Sequence, residues 1–159
     1  MRVAGIRLES LMDGDGVNLV VFTQGCHLNC PGCHNKELHD PSGGVEVSIV
    51  DIVKHITPLT TGVVVSGGEP TEQWLEVCLL AEYVKTLGLR ATLYTGHTMN
   101  NFKAKPFYAE LVHAFDYIKV GPYVEALRTT TSGPIGSTNQ KIYSTAELRE
   151  EIDYANSIQ

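Results

Sequence analysis

Basic side chains are scarce in this chain and nowhere grouped. Lys and Arg total 12 against 18 Asp and Glu, the formal net charge is −6, and every Lys or Arg stands alone. A nucleic-acid backbone is gripped by clustered cations that displace its counterions, so no nucleic-acid partner is expected. Long apolar runs are missing too. Runs such as residues 17–22 (interrupted by Asn18) and 62–65 fall far short of the roughly 20 residues that span a bilayer. The opening MRVAGIRLESLMDGDG holds no apolar core of signal-peptide length and no small-residue cleavage site. These absences point to a cytoplasmic protein without membrane contact. Repeats and linkers are also lacking, so the chain reads as one domain, 1–159, with one core. Hydrophobic content of 43% and charged content of 19% belong to an ordinary globular protein.

Strand-like and helix-like segments alternate. Residues 3–8 and 18–23 are apolar and β-branched and flank the turn DGDG at 13–16. Helical spacing puts Ile49, Ile52, Val53 and Ile56 on one face of 48–56, with Pro58 as the stop. A buried strand is expected at 63–65. The longest helix is expected over 72–87, with Leu75, Leu79, Leu80, Ala81, Val84 and Leu87 on its apolar side and Gly88 as cap. Further expectations are strands at 91–95 and 116–120, a helix at 106–114 and a long polar loop at 129–139. A strand at 141–143 and a helix from Thr145, capped by Ser144, close the chain. Repeated strand–helix–strand units imply a parallel sheet with right-handed crossovers. A closed eight-fold barrel takes about 250 residues, so the expected architecture is α/β, an open partial barrel with one side unwalled.

Three of the four cysteines fall within TQGCHLNCPGCHN (23–35), at Cys26, Cys30 and Cys33. In a reducing compartment such a cluster reads as metal ligation or redox chemistry rather than disulfides. Gly25, Pro31 and Gly32 soften the loop, and Pro31–Gly32 favours a turn that returns Cys33 toward Cys30. Three readings are open. A zinc site would be completed by His27, His34 or His39. An electron-carrying iron–sulfur cluster would take Cys78 as its fourth thiolate. A cluster with three protein ligands would keep one metal position for a substrate. Cys78, between Val77 and Leu79 on the expected long helix, reads best as a small buried hydrophobe.

SGGEP (66–70) ends one expected strand and opens the long helix. Ligands of parallel α/β folds gather at the carboxyl ends of strands. Two glycines there let backbone reach a ligand, and Glu69 can pair with a cation. YTGH (94–97) ends the next strand. His97 reads as a solvated loop residue, and Lys119 faces either the same pocket or solvent.

The CxxxCxxC spacing just after a strand resembles the signature of the radical S-adenosylmethionine (SAM) superfamily, and SGGEP about 40 residues later resembles its second motif. The resemblance implies a radical SAM type of partial TIM-like (β/α) barrel. It also implies a 4Fe–4S cluster on Cys26, Cys30 and Cys33, whose fourth iron binds the amino and carboxylate groups of SAM. By the same likeness Gly32, Cys33, His34, Gly67, Gly68, Glu69 and Thr95 form the SAM site, with the SGGEP motif receiving the methionyl ammonium. Many members carry an aromatic residue just before the third cysteine; this chain has Gly32 there and His34 just after. CPGCHN looks like the branch that activates glycyl-radical enzymes. IKVGPY (118–123) and GSTNQKIY (136–143) are similar to the activating proteins of anaerobic ribonucleoside-triphosphate reductase, although Val120 stands where acidic residues occur. The resemblance covers nearly the whole chain. It implies reduction by a low-potential donor (flavodoxin or ferredoxin), cleavage of SAM to methionine and a 5′-deoxyadenosyl radical, and a glycyl radical left on the large reductase subunit. The rival targets are another glycyl-radical enzyme such as pyruvate formate-lyase and, from a different class, a non-catalytic zinc module.

Overall fold

A computed structural model describes residues 1–130 and 133–158. One seven-stranded sheet organises the chain, in the order β3-β1-β2-β4-β5-β6-β7. Its strands are β1 (Arg2–Ser10), β2 (Asn18–Thr23), β3 (Val45–Glu46), β4 (Gly62–Gly67), β5 (Arg90–Tyr94), β6 (Tyr117–Val120) and β7 (Lys141–Ser144). The helices are α1 (Ile49–Val53), α2 (Trp74–Thr86), α3 (Met99–Lys103), α4 (Tyr108–Ala114) and α5 (Thr145–Ser157). Only the four central strands, β2, β4, β5 and β6, run parallel. β1 forms an antiparallel hairpin with β2, and β3 and β7 add antiparallel edges. The expected parallel sheet is therefore a mixed one: among the described residues the connections into β2, β3 and β7 carry no α-helix, only the 3-10 turns Lys36–Leu38 and Glu125–Leu127, and a parallel crossover usually takes an α-helix. No helix among the described residues is long and apolar enough to cross a membrane.

Alternation along each strand sorts the side chains into two faces. Leu19, Val21, Val63, Val65, Ala91, Leu93, Ile118 and Val120 join the helices in the main core. Val20, Val64 and Tyr94 pack on the opposite face, with Phe22 beside them. Among the described residues that second cluster includes no helical side chain, and the site lies on this face.

Several boundaries shift for local reasons. α1 stops at Val53 rather than 56, since His55 and Ile56 donate to Ile52 and Val53, three residues back, and the last turn tightens. The expected helix 72–87 begins as a 3-10 turn, Pro70–Gln73, before α2 starts at Trp74. Its buried side is Val77, Cys78, Leu80, Ala81 and Val84, whereas Leu75, Leu79 and Leu87 are exposed. At 100° per residue Leu75 and Leu79 lie across the axis from Val77. Ser144 occupies the N-cap of α5 without a capping side-chain bond; Thr145 Oγ1 instead donates to the carbonyls of Phe115 (2.7 Å) and Asp116 (3.1 Å). Part of the expected loop 129–139, Thr131 and Ser132, lies outside the described residues. The rest is more ordered than its polarity suggests, with an antiparallel bridge from Arg128 to Ser137.

Candidate metal centre and its cleft

β2 delivers the chain into the cysteine loop through Gln24, a buried residue whose Nε2 donates to the carbonyls of Glu37 (3.0 Å) and Asp40 (2.8 Å). Gly25 N donates to Leu38 O at 2.8 Å and Cys26 N to His39 O at 3.2 Å, so the loop is closed at its base. Gln73 fastens it from outside: its Nε2 donates to Gln24 O (3.1 Å) and Arg2 O (2.8 Å). Glu72 Oε1 accepts from His27 N at 2.8 Å and also contacts the His27 ring. Cys33 N donates to Cys30 O at 3.1 Å, the turn that Pro31–Gly32 implied, and Asn35 N donates to Cys33 Sγ at 3.4 Å.

The glycine loop lies against this backbone. Gly68 N donates to Thr23 O (2.9 Å) and Glu69 N to Gly25 O (2.8 Å). A Cβ on Gly67 would collide with Thr23, and one on Gly68 with the carbonyl of Gly25. The two glycines thus permit two loops to touch, a role that the ligand-facing expectation did not include. Glu69 is buried, 1% exposed. Its Oε1 accepts from Thr71 N (3.1 Å), Thr71 Oγ1 (2.7 Å) and Thr95 Oγ1 (2.9 Å), and its Oε2 accepts from Gly96 N (2.8 Å). Glu69 therefore ties the end of β4 to the end of β5, and Thr95 directs its hydroxyl at Glu69.

These segments enclose a cleft of about 180 Å³. Cys26, Cys30, Cys33 and His34 line it, as do Gly67, Gly68 and Thr95. Gly32 sits at the turn beside it with φ +72°. Among the described residues no group of three His, Cys, Asp or Glu is arranged to hold a single metal ion. The three thiols line one cleft, and cysteine thiolates are the donors that hold an iron–sulfur group. Burial pushes the Cys26 thiol up, partly offset by a hydrogen bond from the Leu28 backbone. Metal binding there displaces a proton. Cys78 is far from this arrangement, buried on α2 with its thiol pushed up to about 12 by burial. The reading with Cys78 as fourth thiolate fails on that placement.

Two further residues resolve. Lys119 faces the cleft: its Nζ lies 3.8 Å from the centre of the Tyr94 ring and donates to Pro134 O at 2.7 Å. Burial lowers its pKa to about 8. His97 is not solvated but buried, with Nε2 unpartnered, and its carbonyl accepts from Gly121 N at 2.7 Å. Burial lowers its pKa as well. Sequence reasoning missed Gln24, Gln73, Tyr123 and Gln140; a glutamine at a strand end is the one signal they offered. A second cavity of about 310 Å³, bordered by Leu11, Met12, Arg90 and Tyr117, lies on the same sheet face nearer the start of β5.

Comparison with known proteins decides the family. The description "4Fe-4S single cluster domain" matches residues 12–143. The chain belongs to that family. Its members are defined by a 4Fe–4S cluster, so iron–sulfur is the cofactor class of this chain. The pyruvate formate-lyase 1-activating enzyme of Escherichia coli (strain K12) is 36% identical over 74 residues, 46% of this chain and 30% of that enzyme. The pyruvate formate-lyase-activating enzyme of Clostridium pasteurianum is 35% identical over 83 residues, 52% and 35% of the two chains. That of Listeria monocytogenes (serovar 1/2a) is 33% identical over 102 residues, 58% and 40%. The matches thus span only 30% to 40% of these relatives' lengths.

Proposed function

We propose that this 4Fe–4S domain is a cytoplasmic radical SAM activase of a glycyl-radical enzyme, a single domain over 1–159 with a partial TIM-like barrel frame. One observation supports the reading above others: three thiols, with no fourth among the described residues, share a cleft with Ser66, Gly67 and Gly68. An iron without a protein ligand is an open coordination position, the feature that lets a metal bind substrate. When bound, the cluster and SAM supply the radical chemistry: one electron splits SAM into methionine and a 5′-deoxyadenosyl radical, which takes a hydrogen atom from a partner's glycine.

The chain's own residues supply position and exclusion of water. Cys26, Cys30 and Cys33 hold the cluster, and Gly32 and His34 flank its third ligand. Gly67 and Gly68 would supply backbone to the methionyl part of SAM. Glu69, buried and held by Thr95, would supply negative charge toward the methionyl ammonium. The electron comes from a low-potential donor of the flavodoxin or ferredoxin kind.

The preferred target is the large subunit of anaerobic ribonucleoside-triphosphate reductase. Its support is the likeness of IKVGPY and GSTNQKIY to that branch, together with the bonding of these two segments to each other at the cleft, through Asn139 to Pro122 O (2.8 Å) and Gln140 to Gly121 O (3.0 Å). A second reading, activation of pyruvate formate-lyase, is favoured by the names of the relatives. Mixing the reconstituted protein, SAM and reductant with each candidate and recording the electron paramagnetic resonance (EPR) spectrum separates them: a glycyl radical on the reductase alone is expected. Cys30→Ala is expected to abolish 5′-deoxyadenosine formation; full activity in that variant would end the ligand assignment. Iron and sulfide near four each per chain are expected on anaerobic isolation, against one zinc for the non-catalytic module.

A further inference from the structure

GSTNQ (136–140) enters the proposed function only as a likeness, yet the structure gives it a definite task. Gln140 bonds in both directions: Oε1 accepts from Gly136 N (2.8 Å) and Ser137 N (3.3 Å), while Nε2 donates to Gly121 O (3.0 Å). Asn139 Nδ2 donates to Pro122 O (2.8 Å), and the fully buried Ser137 accepts from Val124 N through its Oγ (3.2 Å). These bonds bracket one side chain, Tyr123. Its ring meets the His34 ring edge-on, with centroids 4.7 Å apart and planes at 72°. Both rings line the cleft, one residue beyond Cys33 in the case of His34.

A planar base needs a flat apolar contact, which aromatic side chains provide whatever the base. Four rings line the cleft: His34, His39, Tyr94 and Tyr123. Tyr94 already carries the Lys119 ammonium over its ring. His39 lies at the base of the cysteine loop, where its carbonyl accepts from Cys26 N. Position 32 cannot supply a ring, because any Cβ there would run into the Glu125 carboxylate and the residue holds φ +72°. Among the described residues lining the cleft, His34 and Tyr123 are the two whose rings pack against each other.

We propose that Tyr123, braced by His34, is the wall of the cleft that contacts the adenine of SAM, and that Asn139 and Gln140 are the positioning residues that hold it there. This rests on the SAM reading above, and the test separates the two. The full chain is reconstituted anaerobically, and SAM and 5′-deoxyadenosine binding are measured by equilibrium dialysis. Methionine, which has no base, is followed through the change it causes in the EPR signal of the reduced cluster. Tyr123→Leu is expected to weaken SAM and 5′-deoxyadenosine about tenfold or more, the usual loss when a base–aromatic contact goes, with methionine unchanged. Gln140→Leu is expected to move SAM the same way while iron and sulfide stay at wild-type content, and Tyr123→Phe to keep wild-type affinity. Equal losses for SAM and methionine, or unchanged SAM affinity in both leucine variants, would overturn the proposal. A wild-type protein with a full cluster that binds no SAM would overturn the function reading, and this one with it.

Discussion

Replacing Gly68 with alanine tests the contact on which the site is built. The three atoms nearest a Cβ there are all backbone atoms of the cysteine segment: Gly25 O, Gly25 C at 2.8 Å and Leu38 O at 3.1 Å. None is the end of a flexible side chain, so the two loops must part. Gly68 has no positive φ, which makes the effect steric rather than conformational. Overpacking costs about 1–3 kcal/mol, and loosening the Gly68–Thr23 and Glu69–Gly25 bonds adds about 1 kcal/mol each, for a total of about 3–5 kcal/mol. In a domain of this size that lowers Tm by about 6–20 °C. Gly5→Ala is the control, with no heavy atom within 4 Å and no positive φ; a change within about 1 kcal/mol is expected there. Thermal and urea unfolding of the metal-free protein read the stability, and iron and sulfide content after reconstitution reads the site. Gly68→Ala with wild-type stability and full iron loading would show that the loops do not touch as described.

Glu69→Gln replaces one acceptor oxygen with a donor among four protein donors, and a loss of about 1–3 kcal/mol is expected from the urea midpoint. Cys78→Ala is expected to leave iron content unchanged while costing about 1 kcal/mol of packing; loss of one thiolate-dependent iron signal would reinstate it as a ligand. Lys119 has a folded pKa of about 8, below its ordinary 10.5. Between these values the unfolded chain binds the extra proton, so this group's contribution to stability rises with pH. The stability difference between wild type and Lys119→Met is therefore expected to grow in favour of wild type from pH 7.5 to 9.5, measured as urea midpoints. A flat difference would mean that Lys119 is solvated.

What could be read in advance depended on range. β2 falls at 18–23 as the apolar run implied, and the alternation of Val63, Val64 and Val65 between faces follows from the strand period alone. The turn from Cys30 to Cys33 is local and was legible in Pro31–Gly32. The face of α2 was not, because leucine is plentiful on both sides and only tertiary contact chooses Val77 over Leu75. α3 is too short for a period to show, although Thr98, whose Oγ1 accepts from Asn101 N at 3.2 Å, was a cap signal. The partners of Glu69 lie up to 27 residues away, so its burial could not be foreseen from a five-residue motif. His97 was misread for the same reason: its burial depends on distant segments, among them residue 121, which bonds its carbonyl.

The Glu69 carboxylate has a mechanical consequence. By clasping Thr71, Thr95 and Gly96 it removes independent movement of two neighbouring strand termini, which makes that boundary a fixed datum. The opposite margin, around Tyr123, leans more on side chains: besides the main-chain bond from Gly121 N to His97 O, the amides of Asn139 and Gln140 hold it. Single substitutions there can loosen one edge of the cleft, while changes at the glycines and the acid trade away the frame itself.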